Sequence, residues 1–154
     1  LVDLGVNPKI LVSALSLAIA QRLVRILCTF CKKEKIPSDE QIKTIKNIIE
    51  EMKLEGKDPM QYNINPDAAL KLFEPVGCEK CNKTGYHGRI GIFEAITNDE
   101  KIEKIIPENP SEREIKEIAK TQGILSMRQD GVIKMLNGTT SFEEVAGAVD
   151  LNEI

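Results

Sequence analysis

A chain of 154 residues with 42% apolar side chains is long enough for one ordinary domain or two small ones, and its composition argues against global disorder. Lys and Arg number 21 against 24 Asp and Glu, a net charge of −3, so the chain lacks the basic excess of nucleic-acid-binding proteins. Its longest apolar run, Ile10 to Ala20, is shorter than the roughly 20 residues of a membrane span, and none is predicted.

The first predicted element is a helix. Asn7 is a candidate N-cap, and Pro8 suits the first helical position. The stretch from there to Arg25 is almost entirely apolar until Gln21, which predicts one helix buried on most sides. In that helix Arg22 and Arg25 would share a face near the end and cap the last carbonyl groups.

A second helix is predicted to begin after Ser38, which can form a capping box with Gln41. Gly56 is predicted to end this helix, and the Pro- and Asn-containing residues as far as Pro66 are predicted to form a loop. The apolar stripe of the helix consists of Ile42, Ile45, Ile48, Ile49 and Met52.

Short strands are predicted over residues 70–76 and Ile90–Ile96, and helices from Thr97 to the end. Gly138 is expected to end one of these helices. Three capping residues or pairs mark the helix starts: Ser111 with Glu114, Ser126, and Thr140 with Glu143. The predicted fold class is α+β, mainly α with a small β element, in which short helices must pack together.

Four cysteines form two C-x-x-C turns, a first knuckle (residues 28–31) and a second knuckle (residues 78–81). Two such turns can complete the tetrahedron of a structural zinc site, although the insert between them exceeds the roughly 15–20 residues of ordinary zinc motifs. Disulfides, a redox C-x-x-C motif and plain buried thiols are the alternatives. One zinc ion is predicted, with the ligands Cys28, Cys31, Cys78 and Cys81. Nearby cations can soften the charge of four thiolates: Lys32, Lys33 and Lys80.

Other candidate sites carry less chemistry. The single histidine, His87, lies in a Gly-flanked segment and is expected to be an exposed turn residue, because four cysteines already close a structural site. A Walker A loop has the pattern G-x-x-x-x-G-K-[ST]. The only Gly-Lys pair, Gly56-Lys57, has Glu51 where the first glycine would stand and Asp58 where the Ser or Thr would stand, so it is not such a loop. The residues alone therefore predict a zinc-stabilised helical module without catalytic machinery of its own.

Several segments resemble the ATPases of type II secretion and type IV pilus assembly. Leu4–Pro8 and Ala20–Cys28 are similar to a stretch late in their ATPase domain, and Thr84–Glu94 is similar to their zinc subdomain. Gly123–Gly131 and Gly138–Val145 resemble their helical C-terminal part. Order and spacing agree over nearly the whole chain.

The resemblance implies three regions. Residues 1–27 would be the end of the ATPase core and contain the tail of a P-loop NTPase core helix. Residues 28–97 would form a zinc subdomain with a helical insert, and residues 98–154 a C-terminal helical bundle. Two residues depart from the family pattern. Gln129 stands where an acid is usual, and His87 where a basic residue is common. The insert from Lys32 to Val76 is not recognisable family sequence.

The resemblance also implies the function of a longer protein. It would be a cytoplasmic homohexamer, driven by Mg-ATP and peripheral to the inner membrane, which pushes pilin-like subunits through membrane platform proteins. The family's Walker A, Walker B, Asp-rich and His-rich boxes are expected upstream of Leu1, and the missing initial Met suggests a fragment. This chain is then expected to contribute subunit contacts and regulation, and to be inactive alone.

Three arginines are candidates for a position near a neighbouring subunit's nucleotide: Arg22, Arg25 and Arg89. The structural alternative is carbonyl capping by Arg22 and Arg25, and a carboxylate partner such as Glu94 for Arg89. A free-standing zinc adaptor that binds protein, or less readily RNA, is the alternative for the whole chain. It explains the cysteines but leaves the Q-R-L-V-R and T-G-Y-x-G-R-x-G segments unexplained.

Overall fold

The computed structural model describes residues 5–66 and 68–152, apart from the side chains of residues 8 and 9. The described residues form four strands in two two-stranded sheets, β1 (Leu17–Leu27) with β4 (Tyr86–Thr97) and β2 (Lys33–Lys35) with β3 (Leu72–Glu74). The described helices are α1 (Pro8–Ala14), α2 (Asp39–Leu54), α3 (Glu100–Ile105), α4 (Glu112–Lys120), α5 (Met127–Leu136) and α6 (Phe142–Ala148). The fold is mixed α+β. Strand β4 is longer than the predicted strand Ile90–Ile96, β3 is shorter than the strand predicted over residues 70–76, and β1 and β2 were not predicted as strands.

The first of two compact units consists of Leu1–Ala20 and Glu94–Ile124. In this unit Asn98 joins the chain before β1 to the end of β4: its backbone N–H donates to the carbonyl of Ser16 at 3.0 Å, and its side-chain amide donates to the carbonyl of Val12 at 2.9 Å. Asp99 then caps α3 by accepting from the amides of residues 101 and 102.

The second unit consists of Gln21–Phe93 and Leu125–Ile154. Its main core joins the insert to the C-terminal helices, since residues of α2 and β3 pack with residues of α5 and α6. The buried members of this core are Ile45, Ile48, Ile49, Met52, Ile64, Leu72, Val132, Ile133, Met135, Val145 and Leu151. A smaller cluster holds Val24 of β1, Ile92 of β4 and Met127 of α5.

The prediction of one helix from Asn7 to Arg25 is wrong. The helix ends at Ala14, and Leu17–Leu27 forms strand β1, which pairs with β4. The segment is rich in β-branched and other apolar residues, namely Ile19, Leu23, Val24 and Ile26. Such an apolar run is compatible with a helix or a strand, and the pairing with β4 selects the strand. The predicted burial is also wrong, because Ile19 is 62% exposed and Leu23 is 57% exposed.

Several helix limits follow the sequence signals. Ser38 and Gln41 form the predicted capping box at the start of α2, and Gly56 follows its end. The capping box of Ser111 with Glu114 begins α4, and Ser126 caps α5. All four buried residues of α2 belong to its predicted stripe.

Two limits differ from the sequence signals. Ser141, not Thr140, caps α6 by accepting from the amide of Glu144, because the Thr140 hydroxyl donates to the carbonyl of Arg25 instead. The predicted loop after Gly56 contains a 3-10 turn over Pro59–Tyr62. No helix among the described residues is both long enough and apolar enough to cross a membrane.

Candidate metal centre

Each knuckle is a tight turn that points two sulfur atoms to one side. In the first knuckle, the amides of Cys31 and Lys32 donate to the carbonyl of Cys28 at 3.3 and 2.9 Å. In the second knuckle, the amides of Cys81 and Lys83 donate to the carbonyl of Cys78 at 3.2 and 2.8 Å. In both knuckles the amide of the second cysteine donates to the carbonyl of the first, and the chain turns tightly at both ends of the insert.

The four Sγ atoms lie within 4.8 Å of one another. Three Sγ–Sγ distances are 3.9 Å for Cys28–Cys78, 3.8 Å for Cys31–Cys81 and 3.7 Å for Cys78–Cys81. A tetrahedron with metal–sulfur bonds of about 2.3 Å has sulfur–sulfur edges of about 3.8 Å. The pairs are too far apart for disulfides, whose S–S length is about 2.05 Å. The cluster can thus hold a tetrahedral metal ion.

Backbone amides surround the sulfur atoms. Gly77 N–H donates to Cys31 Sγ at 3.3 Å, and Gly85 N–H donates to Cys81 Sγ at 3.2 Å. Cys78 N–H also donates to Cys81 Sγ, at 3.1 Å. Donors of this kind orient metal ligands and stabilise the negative charge of thiolates.

The second cysteines of the two knuckles, Cys31 and Cys81, differ in the pKa of their thiols. Burial raises the pKa of the Cys31 thiol to about 11, only partly opposed by the amide of Gly77. Burial also raises the pKa of Cys81, but the amides of Cys78 and Gly85 and the neighbouring thiols outweigh it and lower the value to about 6. A cluster of this kind favours one thiolate among thiols, and a bound cation is what would allow all four sulfurs to ionise.

Gly85 connects the two knuckles through its backbone. Its carbonyl accepts from the amide of Cys28 at 2.9 Å, while its own amide donates to Cys81. Its φ is +78°, and a Cβ atom added there would lie 2.4 Å from Cβ of Pro75. Only glycine fits this conformation and this close approach.

A family comparison bears on these observations. The sequence model of the "Type II/IV secretion system protein" family matches residues 1–147. The chain belongs to this family. The resemblance of its segments to the ATPases of type II secretion and type IV pilus assembly is therefore confirmed.

Members of the family that are similar to the chain include two pilus ATPases and a secretion protein. The chain is 36% identical to "Type IV pilus assembly ATPase PilB" of Thermus thermophilus over 93% of the chain and 14% of that protein. It is 37% identical to PilB of Pseudomonas aeruginosa over 94% of the chain and 23% of that protein. It is 39% identical to "Type II secretion system protein E" of Pseudomonas aeruginosa over 94% of the chain and 25% of that protein. The chain thus spans a quarter or less of these family members.

Arg25 is one of the three arginines predicted to lie near a nucleotide. In the structure it forms hydrogen bonds with Glu144 of α6. Its Nη2 and Nε donate to Oε1 of Glu144 at 2.6 and 3.0 Å, and its backbone N–H donates to Oε2 at 2.8 Å. Its guanidinium also lies 4.0 Å from the ring centroid of Tyr86, whose hydroxyl is 3.0 Å from Ser141 Oγ. The hydrogen bond to Glu144 raises the pKa of Arg25 above its ordinary value.

Arg22 and Arg89 occupy different surroundings. Arg22 is exposed and, three residues from Arg25 in a strand, lies on the opposite face, so the predicted shared helix face and carbonyl capping are wrong. Arg89 is exposed in β4, and its charge helps lower the pKa of Glu144, chiefly depressed by the hydrogen bond from Arg25. The pairing of Arg89 with Glu94 and the nucleotide-proximal role of all three arginines stay predictions.

The lysines proposed to soften the thiolate charge have other contacts. Lys32 Nζ donates to the carbonyl of Gly138 at 2.6 Å, and Lys80 Nζ lies 3.6 Å from the ring centroid of Phe30. Lys33 pairs in register with Glu74 between β2 and β3. His87 is exposed, as predicted, but at the start of β4 rather than in a turn.

Sequence reasoning missed a buried polar cluster at the end of α2. Lys57 Nζ donates to Glu55 Oε2 at 2.6 Å and to Gln129 Oε1 at 2.8 Å, and Gln129 Nε2 donates to Glu55 Oε2 at 2.8 Å. The side chains of Lys57 and Glu55 are 3% and 9% exposed. The cluster joins the insert to α5, and the only sequence signal for it was the unusual Gln129.

Proposed function

We propose that this chain is the C-terminal, zinc-holding part of a hexameric, Mg-ATP-driven motor of the secretion and pilus assembly family. The longer protein works at the cytoplasmic side of the inner membrane against platform proteins, and this part supplies subunit contacts and regulation rather than catalysis. The observation that carries the proposal is four sulfur atoms at tetrahedral spacing in a chain of this family.

Zinc is the ion that suits this site. Four thiolates select soft or borderline metals, and zinc accepts tetrahedral coordination without a penalty from its d electrons. The sulfur–sulfur edges of 3.7–3.9 Å and the three N–H donors support a closed, structural site. When bound, the ion neutralises the thiolates and holds both knuckles together.

The first prediction concerns metal content and stability. The purified chain is expected to carry one zinc ion, and Cys78→Ser is expected to lose it and to destabilise the fold around both knuckles, because binding free energy at structural zinc sites is folding free energy. Elemental analysis and thermal unfolding of the two proteins measure both effects.

Thr29→Ser is the matched control, since Thr29 is exposed and stands between two ligands without being one. It is expected to keep the metal and the melting temperature. A folded chain without zinc, or with four thiols that react freely with a thiol reagent, would contradict the metal assignment.

The assignment to a motor rests on the relatives, which carry the names of pilus assembly ATPases and secretion proteins. Its test is the same pair of substitutions in the full-length protein. Cys78→Ser is expected to lower hexamer content in sedimentation velocity and turnover of ATP together, while Thr29→Ser changes neither. If the full-length Cys78→Ser protein lost its zinc but kept its normal hexamer content and ATP turnover, the proposed role of this part of the chain in subunit contacts would be wrong.

A further inference from the structure

The first knuckle exposes an aromatic side chain that neither hydrophobic core uses. Phe30 is 68% exposed and is absent from both buried clusters. Lys80 of the second knuckle places its ammonium group 3.6 Å from the centroid of the ring. A cation over an exposed ring restricts the ring's orientation without burying it.

A small open cavity of about 120 Å³ lies beside this ring. Ile26 and Phe30 contribute apolar surface to it, and Lys80 and His87 contribute polar tips. Pockets for cofactors and drug-sized ligands have roughly 300–1,000 Å³, so this cavity has room for one side chain. An exposed aromatic ring beside a cavity is the arrangement in which protein interfaces place their anchoring residues.

The two chain segments that contribute residues to the cavity are basic, whereas the chain as a whole is acidic. Residues 28–33 and 78–89 contain five basic residues and one acidic residue, a net of +4 in a chain whose net charge is −3. Four thiolates and one divalent cation add −2, which leaves this region positive. Lys33, Lys80, His87 and Arg89 are all exposed. We call the surface formed by Phe30, Lys80, His87 and the cavity the knuckle face.

We propose that the knuckle face docks an acidic peptide segment of a partner protein, which seats one apolar side chain in the cavity and places carboxylates beside Lys80 and His87. The charge complementarity favours an anionic partner, and the cavity favours a protruding side chain over a flat surface. A single-stranded nucleic acid would need a groove with several stacking rings, whereas this face offers one ring. The inference goes beyond the proposed function and rests on it only for the zinc ion, whose presence is measured separately from peptide binding.

The test uses three pentapeptides and the isotope-labelled, zinc-loaded chain. The first peptide has four acidic residues around a central leucine, the second replaces that leucine with glycine, and the third replaces the acids with lysines. Amide shift changes in NMR are expected at Thr29, Phe30, Lys80 and His87 with the first peptide. The second and third peptides are expected to bind at least tenfold more weakly.

Two variants locate the binding. Phe30→Ala and Lys80→Glu are each expected to weaken the first peptide at least tenfold while keeping one zinc per chain, and Lys46→Glu, an exposed charge reversal on α2, is the matched control and changes nothing. Retained zinc shows that either variant is folded at the knuckles.

Four results would overturn the proposal. These are no saturable shifts with the first peptide, equal binding of the lysine peptide, tighter binding to vesicles of anionic lipid, and concentration-dependent shifts of the same amides in the chain alone. The last, with a dimer in sedimentation, would assign the face to a second copy of the chain.

Discussion

Within the second unit, Glu144 of α6 accepts the hydrogen bonds that connect this helix to Arg25 of β1. It receives three hydrogen bonds from Arg25 and the field of Arg89, while its own amide donates to Ser141. A carboxylate with this many donors is held in its ionised form, and its pKa lies below the ordinary value. Its side chain is 17% exposed, so solvent screens these interactions only in part.

The depressed pKa of Glu144 makes stability depend on pH. Because the folded-state pKa is lower than the unfolded value of 4.5, the carboxylate contributes its full stabilisation above that value and loses it as the pH falls through the folded pKa. The difference in unfolding free energy between the wild type and Glu144→Gln is therefore expected to be largest above about pH 5.5 and to shrink below about pH 4.5. Urea unfolding across pH 3.5–7 measures this difference.

Glu143→Gln is the matched control for this experiment. Glu143 is the exposed neighbour in the same first turn of α6. Its effect on the unfolding free energy is expected to be small and independent of pH, and any acid-driven loss of metal is shared by all three proteins. A difference for Glu144→Gln that stays constant from pH 7 to 3.5 would contradict the role assigned to the carboxylate.

The arginine hypotheses are separated by measuring turnover and stability together. Each of Arg22, Arg25 and Arg89 is changed to Ala in the full-length protein. Arg25→Ala is expected to lower the unfolding free energy by about 1–2 kcal/mol, because Glu144 loses a charged donor at a partly exposed site. An arginine that stabilises a transferring phosphate should instead cost at least tenfold in turnover, about 1.4 kcal/mol of barrier, with the melting temperature kept.

Arg22→Ala is the informative comparison, since its side chain lies on the face of β1 opposite Arg25. If Arg25→Ala lost turnover at an unchanged melting temperature, the structural role would be wrong and the nucleotide-proximal role would stand.

At the scale of elements, local signals predicted helix starts better than they predicted β1. Ser38, Ser111 and Ser126 act through the next turn of their own helix, so a capping residue and its partner are visible within four residues. Strand β1 depends on β4, which lies about sixty residues further along the chain, and its apolar run is compatible with either structure.

The same reasoning explains what could be predicted of the site. The two C-x-x-C turns are local, so the four candidate ligands were found from spacing alone, and the structure brings them together. The partners of Arg25 and Lys57 were not found, because Glu144 and Gln129 are 119 and 72 residues away and no local pattern connects residues so far apart in the sequence.

The packing of α5 on α6 depends on the absence of a side chain at Gly131. A Cβ atom there would lie 2.6 Å from Cγ1 of Val145, which is fully buried. Gly131→Ala is expected to destabilise the protein by about 1–3 kcal/mol, because a stiff β-branched neighbour in a filled core cannot move aside cheaply. Thermal or urea unfolding measures the change.

Gly147→Ala provides the control within α6. A Cβ atom at Gly147 has no neighbour within 4 Å, so the substitution is expected to be neutral or to stabilise the helix by up to about 1 kcal/mol. Equal destabilisation by both substitutions would show that backbone freedom, rather than the contact with Val145, explains the need for glycine.

At the scale of the whole molecule, the insert is part of the second unit's core rather than an appendage. Ile45, Ile48 and Met52 of α2 are buried with Val132 and Met135 of α5. The buried cluster of Lys57, Glu55 and Gln129 fixes the end of α2 against the start of α5 as well. The insert therefore contributes to the stability of the C-terminal helices. The family model matches the insert as well as these helices as far as residue 147, so the prediction that the insert is not recognisable family sequence is wrong.

The chain by itself is expected neither to hydrolyse ATP nor to bind it tightly. Its sequence lacks a glycine-rich phosphate-binding loop with the lysine and hydroxyl that such a loop places around the phosphates. Isothermal titration calorimetry with Mg-ATP and a phosphate-release assay measure both properties. Binding of Mg-ATP at micromolar concentration would contradict the assignment of catalysis to the remainder of the protein.

The exposed strand β1 has a consequence for how the isolated chain behaves in solution. Its sequence contains neither Pro nor Gly, and Leu17, Ile19 and Leu23 are 45%, 62% and 57% exposed. Such a segment has the composition of an aggregation-prone window, in which Arg22 and Arg25 are the only charged residues. Arg25 pairs with Glu144, so Arg22 is the charged residue of β1 that we expect to oppose association of copies of the chain through this strand.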